Sequence, residues 1–313
     1  MKSPDSLLPK DFIASPEGWL FAVVSELTED DKVLCFLRYA PIAGVWCKLD
    51  SDSANRLLAE HSPAYLYQSR LLSARLHALP RSRIVEHYSP RRILQKLLNS
   101  PTADPAINDL QHLARVLAEA GVELATLGIT GSLLVGMQHH ASDIDLVCYD
   151  RAAFHQMRQV VQSLMAENRC QTLNDGDWLA AWQRRSCDFS LDDYIWHEVR
   201  KYNKGMINGR KFDLSLVVPS DRQQSAGGWK LGAVHITADV VDDGYAFDYP
   251  ARLDIRHATF ERVLCFTATY TGQAHTGETI AVSGQAEIDG EGRRVVIVGS
   301  SREAMGEYIR VLR

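Results

Sequence analysis

The chain has 313 residues, 46% hydrophobic and 23% charged, a balance that belongs to a folded, water-soluble protein of two or three domains. Its formal charge of −5 argues against a broad non-specific grip on polyanions. No apolar run approaches the roughly 20 residues that a bilayer requires. Met1–Lys10 also holds no stretch suited to a secretory leader, so no membrane partner is expected and a cytoplasmic location is.

Residues 1–100 read as an N-terminal α+β domain. Leu20–Glu26, Val33–Tyr39 and Val45–Leu49 have strand character, with Asp30-Asp31 as the turn between the first two. Ser53–Glu60 reads as a helix capped by Ser53, and Ser89-Pro90 starts another that runs to Leu98. Between them, Arg70–Lys96 carries seven basic residues and one acid, Glu86. A solvated basic helical face explains this better than a phosphate-backbone contact.

Residues 101–226 alternate helix and strand. Leu110, Leu113, Ala114, Leu117 and Ala118 fall at helical spacing. Strands are expected at Glu123–Ile129, Asp143–Tyr149 and Lys211–Val218, and helices at Arg151–Asn168 and Leu191–Tyr202. After the Gly227-Gly228 break, residues 227–313 read as strands at Val234–Val241, Ala251–His257, Val263–Thr271, Thr279–Ile288 and Arg294–Val298. Met305–Val311 closes the chain as a strand or helix. So many strands in so short a span predict a small barrel or sandwich, with an OB-like β-barrel the preferred form. The six cysteines form no CxxC pair; Cys35, Cys148 and Cys265 sit in apolar runs and read as small core residues rather than zinc ligands or a disulfide framework.

The chemistry concentrates in the middle region. Thr130-Gly131-Ser132 ends a predicted strand and opens a predicted helix, where a residue without a β-carbon lets backbone approach a phosphate closely. Asp143 and Asp145 stand at i and i+2 on the next strand, so both carboxylates share a face. Asp213 lies in the apolar run Lys211-Phe212-Asp213-Leu214, where a buried carboxylate would be costly without a cation. Each feature alone is weak; their order along the chain is restrictive.

The segment Gly128–Asp150, GITGSLLVGMQHHASDIDLVCYD, resembles the signature of the polymerase-β-like nucleotidyltransferases: an apolar strand, Gly-Ser, a short spacer, then acid–apolar–acid. The whole chain is similar to a group of predicted nucleotidyltransferases common in archaea, through FLRYAP (36–41), WHEVRKYNKG (196–205), KFDLSLV (211–217), DDGYAFDYPA (242–251) and SREAMGEYIRV (301–311). The resemblance implies an α+β fold with a central catalytic domain of mixed sheet and helices. It also implies transfer of a nucleoside monophosphate from an NTP to an acceptor, with two Mg²⁺ or Mn²⁺ ions. By that resemblance Gly131 and Ser132 would contact the phosphates, Asp143 and Asp145 would ligate both metals, and Asp213 would help hold the catalytic one and assist deprotonation. The acceptor is left open. RNA, tRNA-like in kind, is slightly preferred, with a protein or small molecule and a non-catalytic nucleic-acid-binding role as alternatives.

Several further residues carry a plain reading beside a functional one. Arg200, Lys201 and Lys204 precede Asp213; on a continuing helix Arg200 and Lys204 would share a face and could clamp phosphates, against a solvated face. Trp196 and His197 read as packing residues, His139-His140 as exposed loop histidines, and Asp242, Asp243 and Asp248 as turn formers. Arg293, Arg294 and Arg302 would line an acceptor groove if the barrel binds nucleic acid.

Overall fold

The computed structural model describes residues 7–72, 74–185, 187–218, 229–300 and 305–313. The fold is mixed α+β with three sheets. Backbone packing groups the described residues into two units, one from Met1–Met157 with Ile207–Pro219 and one from Arg158–Met206 with Ser220–Arg313. Residues 100 and 101 therefore fall inside the first unit, while the expected boundary at 226/227 and the Gly227-Gly228 break lie outside the described residues.

The first sheet is built from β1 (Phe12–Ala14), β2 (Leu20–Glu29), β3 (Lys32–Ile42) and β4 (Val45–Lys48), then, after helix α1 (Ser51–His61), β5 (Leu66–Ser69), β6 (Ala74–Pro80) and β7 (Glu86–Tyr88). Its order is β5-β6-β3-β2-β1-β7, with β4 paired to β3. Asp30 and Asp31 both take positive φ, 51° and 57°, the geometry of a two-residue turn that matches the twist of the strands it joins. The segment expected as one basic helical face is divided: Ala74–Pro80 and Glu86–Tyr88 are strands, whereas Arg91, Arg92 and Lys96 do lie on a helix. Three of its arginines are answered by distant acids: Arg70 by Glu29 and Asp30, Arg83 by Glu17, Arg81 by Asp31.

Side chains alternate between the two faces of this sheet. Ile13, Phe21, Val23 and Leu37 bury one face under α1, against Ala54 and Leu58. Asp50, not Ser53, caps that helix by accepting the Ser53 N–H at 2.8 Å. Phe12, Ala14, Leu20 and Tyr39 take the other face and pack against Leu134 and Val135 of the middle region.

The middle region begins with α2 (Pro90–Asn99) and α3 (Pro105–Glu119), the latter capped by Asp104, whose carboxylate accepts the Ala106 N–H at 2.8 Å. It continues through β8 (Leu127–Thr130), α4 (Gly131–Val135), β9 (Ile144–Cys148), α5 (Arg151–Ala166), α6 (Asp175–Arg185), α7 (Leu191–Val199), β10 (Lys204–Ile207) and β11 (Arg210–Leu216). β9 is an inner strand of its sheet, antiparallel to β8 and parallel to β11. Gly128 lets α2 lie on β8, since a β-carbon there would come within 2.7 Å of Pro90. Cys35, Cys148 and Cys265 are buried, as expected of core residues.

The last region contains β12 (Trp229–Tyr245), β13 (Ala251–Arg256), β14 (Arg262–Cys265), β15 (Thr279–Ile288), β16 (Arg294–Val298) and β17 (Tyr308–Val311). The sheet runs β12-β13-β14-β16-β15-β17. Because the long β12 also pairs with β15, the hydrogen-bonded path closes on itself through five strands. Among the described residues no helix is long and apolar enough to cross a membrane.

Candidate active site

The site forms where β8 gives way to α4 beside β9. Thr130 is the register partner of Asp145 across the antiparallel β8–β9 pair, and Asp213 is the partner of Asp145 across the parallel β9–β11 pair. Asp145 therefore sits between Thr130 and Asp213, with Asp143 two residues before it. Gly131 turns the chain at φ +69°, and a β-carbon there would lie 2.2 Å from Asp145 Oδ2. Only glycine fits both the backbone and the carboxylate. Ser132, half-buried, follows on the first turn of α4. That helix has five residues and ends at Gly136 in the left-handed conformation, so this turn has no strong helix dipole to offer a ligand; what it sets is the close approach of its backbone to the Asp145 carboxylate.

The electrostatics follow from this crowding. Burial pushes the Asp145 carboxyl up to about 6, and the charges of Asp213 and Asp143 add to the rise. The ammonium groups of Lys10 and Lys48 pull it down. Lys211 Nζ stands 3.7 Å from Asp143 Oδ1. Burial also pushes the Tyr39 hydroxyl up, with Arg38 opposing and Asp145 reinforcing the shift. Asp213 is exposed, which corrects the expectation of a buried carboxylate: the register with Asp145, not burial, ties it to the site.

Among the described residues, no three His, Cys, Asp or Glu side chains are drawn into a closed metal cage. The donor set nonetheless suits a hard divalent cation. Mg²⁺ keeps several waters and is commonly held by one or two carboxylates with substrate phosphates completing its shell. The crowding of Asp145 by Asp143 and Asp213, carboxylates whose charges oppose one another's ionisation, fits such a cation.

The spacer between Gly131 and Asp143 is fixed by polar contacts. Arg210 donates to Asp109 at 2.7 Å and to the carbonyls of His140 and Ser142, while Gln138 donates to Asp104 at 2.9 Å. His139 and His140 are exposed, and His139 Nδ1 accepts the Ala141 N–H at 3.2 Å, so their role here is in the loop.

Arg200, Lys201 and Lys204 do not form the expected helical clamp. α7 ends at Val199, so Arg200 and Lys204 are not successive turns of one helix. All three lie in the second unit and are engaged there. Lys201 is buried, donating to Glu198 at 2.5 Å and to the Thr269 carbonyl at 3.2 Å; Lys204 reaches the other Glu198 oxygen at 2.5 Å; Arg200 pairs with Glu278 and stacks on Trp196. Burial alone would raise Glu198, but the two ammonium groups hold it at about 2. Trp196 and His197 do pack as expected: the His197 ring accepts the Val311 N–H and lies against Phe189.

Asp242 and Asp243 lie on β12 rather than in a turn, Asp242 accepting the Gly244 N–H and Asp243 accepting from Thr276 and meeting His275 at 3.0 Å, while Asp248 lies in the bend just after that strand. Arg293 is spent on Asp289 and Glu291, Arg294 is exposed, and Arg302 lies outside the described residues. Lys10 and Lys48 were not legible as site residues. They stand singly in a region without a catalytic motif, and only the packing of the first sheet on α4 explains their influence on Asp145.

The uncharacterized protein MJ1086 of Methanocaldococcus jannaschii is 30% identical to this chain over 335 residues, covering 97% of this chain and 98% of the relative. No protein-family profile matches the chain, and no solved structure does. At that identity, over nearly the whole length of both proteins, the chain belongs to the same family as MJ1086.

Proposed function

We propose that this protein is a metal-dependent nucleotidyltransferase of the polymerase-β-like kind, moving a nucleoside monophosphate from an NTP to an acceptor. The observation that carries the reading is the alignment of Asp145 with Asp213 across β9 and β11, beside a glycine whose left-handed φ and close approach to Asp145 Oδ2 both disfavour a β-carbon. A merely solvated Asp-x-Asp on a strand needs neither feature.

In this reading Gly131 and Ser132 receive the triphosphate. Asp143 and Asp145 would hold two Mg²⁺ or Mn²⁺ ions, with Asp213 at the catalytic one, and the bound ions would neutralise the phosphates and acidify the acceptor hydroxyl. The acceptor oxygen forms a bond to the α-phosphorus while the bond to the β-phosphate oxygen breaks, releasing pyrophosphate. Asp213, exposed and at the strand position next to Asp145, takes the hydroxyl proton.

The acceptor we favour is RNA. The five-strand circuit β12-β13-β14-β16-β15 supports reading the last region as a small OB-like barrel, an architecture often used for oligonucleotides. The basic N-terminal segment lends less, because Arg70, Arg81 and Arg83 are already paired. Labelled NTPs incubated with the protein, Mg²⁺ or Mn²⁺ and cellular RNA test the proposal. It predicts label in RNA that is lost in Asp145→Asn; no Asp145-dependent label in either RNA or protein fractions would sink it.

A further inference from the structure

We propose that Lys10 and Lys48, from the N-terminal sheet, are the cations that receive the β- and γ-phosphates of the nucleotide held at Gly131 and Asp145; this rests on the nucleotidyltransferase reading above. The role would otherwise fall to Arg200, Lys201 and Lys204, which are engaged with Glu198, Glu278 and Thr269.

Lys10 is placed by its own backbone. Its carbonyl accepts the Thr130 hydroxyl at 2.8 Å, one residue before Gly131, and its N–H donates to the Val23 carbonyl at 3.0 Å. It holds φ +78°, a left-handed conformation unusual for a lysine. Non-glycine residues held there occur in plain turns, as at Asp30 and Asp31, but also cluster at active sites and ligand clamps.

Lys48 is placed by strand register. It pairs with Tyr39 across β3 and β4, so the two side chains share a face. Tyr39 packs on that face against Leu134 and Val135 of α4, and this orients Lys48 toward the side of the sheet that carries the Gly131 turn. Trp46, two residues earlier on the same face and partly exposed, extends that surface outward.

Both lysines are exposed, and among the described residues neither makes an ion pair. Their charges are nonetheless felt at the Asp145 carboxylate. A triphosphate bound beside Gly131 would bring about four negative charges to a site that already holds three carboxylates. Divalent ions offset part of that excess, and two mobile ammonium groups suit the remainder, because lysine meets phosphate as a point charge without fixed geometry.

The test is calorimetric titration of the full chain in MgCl₂ with ATP, GTP, CTP and UTP and with the matching monophosphates, for wild type, Lys10→Gly, Lys48→Gln, Lys48→Arg and Asp145→Asn. Lys10→Gly should melt at or above the wild-type temperature, since glycine relieves the strained φ, yet bind the preferred NTP about tenfold more weakly. Lys48→Gln should lose about as much and Lys48→Arg little, with monophosphate binding unchanged throughout. NTP binding that needs Asp145 but ignores both lysines would overturn this inference and leave the nucleotidyltransferase reading standing. Equal weakening for NTP and monophosphate would also overturn it, and a wild-type chain that binds no NTP would remove both.

Discussion

The α-carbon of Gly131 faces the carboxylate of Asp145 so closely that a β-carbon on the first would lie 2.2 Å from Oδ2 of the second. Gly131→Ala therefore meets two obstacles, the contact and a φ of +69°. The strained backbone costs about 1–2 kcal/mol for a residue with a β-carbon, and displacement of Asp145 adds to it. Urea denaturation should show a loss of about 2–3 kcal/mol, with nucleotide binding abolished. Ser132→Ala, without either obstacle, should leave stability within about 0.5 kcal/mol of wild type.

Asp145 itself is a source of instability in the metal-free protein. Its carboxyl is pushed up to about 6 by burial and by Asp213 and Asp143, against an ordinary value of 3.8. The folded state thus binds a proton more tightly than the unfolded state. The group favours folding below about pH 4, and that contribution is lost as pH rises through 6. In chelator at pH 8, Asp145→Asn should raise stability by about 1 kcal/mol, and the advantage should vanish toward pH 4. Thermal melts across that range measure it. An unchanged melting temperature at pH 8 would contradict the electrostatic account of the site.

Part of this site was legible in the sequence because it is local. Asp143-Ile144-Asp145 on a strand and the Thr130-Gly131 turn depend on neighbours in the chain. The register of Asp213 with Asp145 spans 68 positions of sequence between β9 and β11, and no periodicity encodes such a pairing. The same limit explains the misreadings. Arg70, Arg81 and Arg83 looked like one basic face because their acidic partners Glu29, Asp30, Asp31 and Glu17 lie 40 to 66 positions away in sequence. Arg200, Lys201 and Lys204 looked like a phosphate clamp because no acid lies from Val199 to Phe212 and Glu198 falls just before that stretch; burial turned that one carboxylate into the partner of two lysines.

Two buried histidines make the fold sensitive to acid, one in each unit. His77 accepts the Leu37 N–H at Nδ1 and meets Asn55 at Nε2, and burial depresses it to about 4. His197 accepts the Val311 N–H at Nε2 while its Nδ1 faces the Asp193 carbonyl, and burial with the nearby Lys201 and Arg200 charges depresses it to about 4 as well. Each is neutral when folded, so each contributes stability that is present above about 6.5 and lost as pH falls toward 4. Denaturant midpoints should drop steeply over that window. His77→Gln should flatten the drop for the first unit and His197→Gln for the second, followed by a fluorophore placed in each.

The buried cluster of Glu198 with Lys201 and Lys204 gives the last prediction. Glu198 is held at about 2 because two ammonium groups outweigh its burial; Lys201 is fully enclosed and depends on Glu198 and the Thr269 carbonyl to remain charged. Glu198→Gln strands that charge, and removing one partner of a buried pair costs about 3–5 kcal/mol. Lys201→Met alone should cost less, since Glu198 keeps Lys204. The double variant Glu198→Gln/Lys201→Met should recover part of the Glu198→Gln loss, and a double-mutant cycle by urea denaturation should give a coupling of at least about 1 kcal/mol. Additive losses would mean that the lysine is not held by this carboxylate.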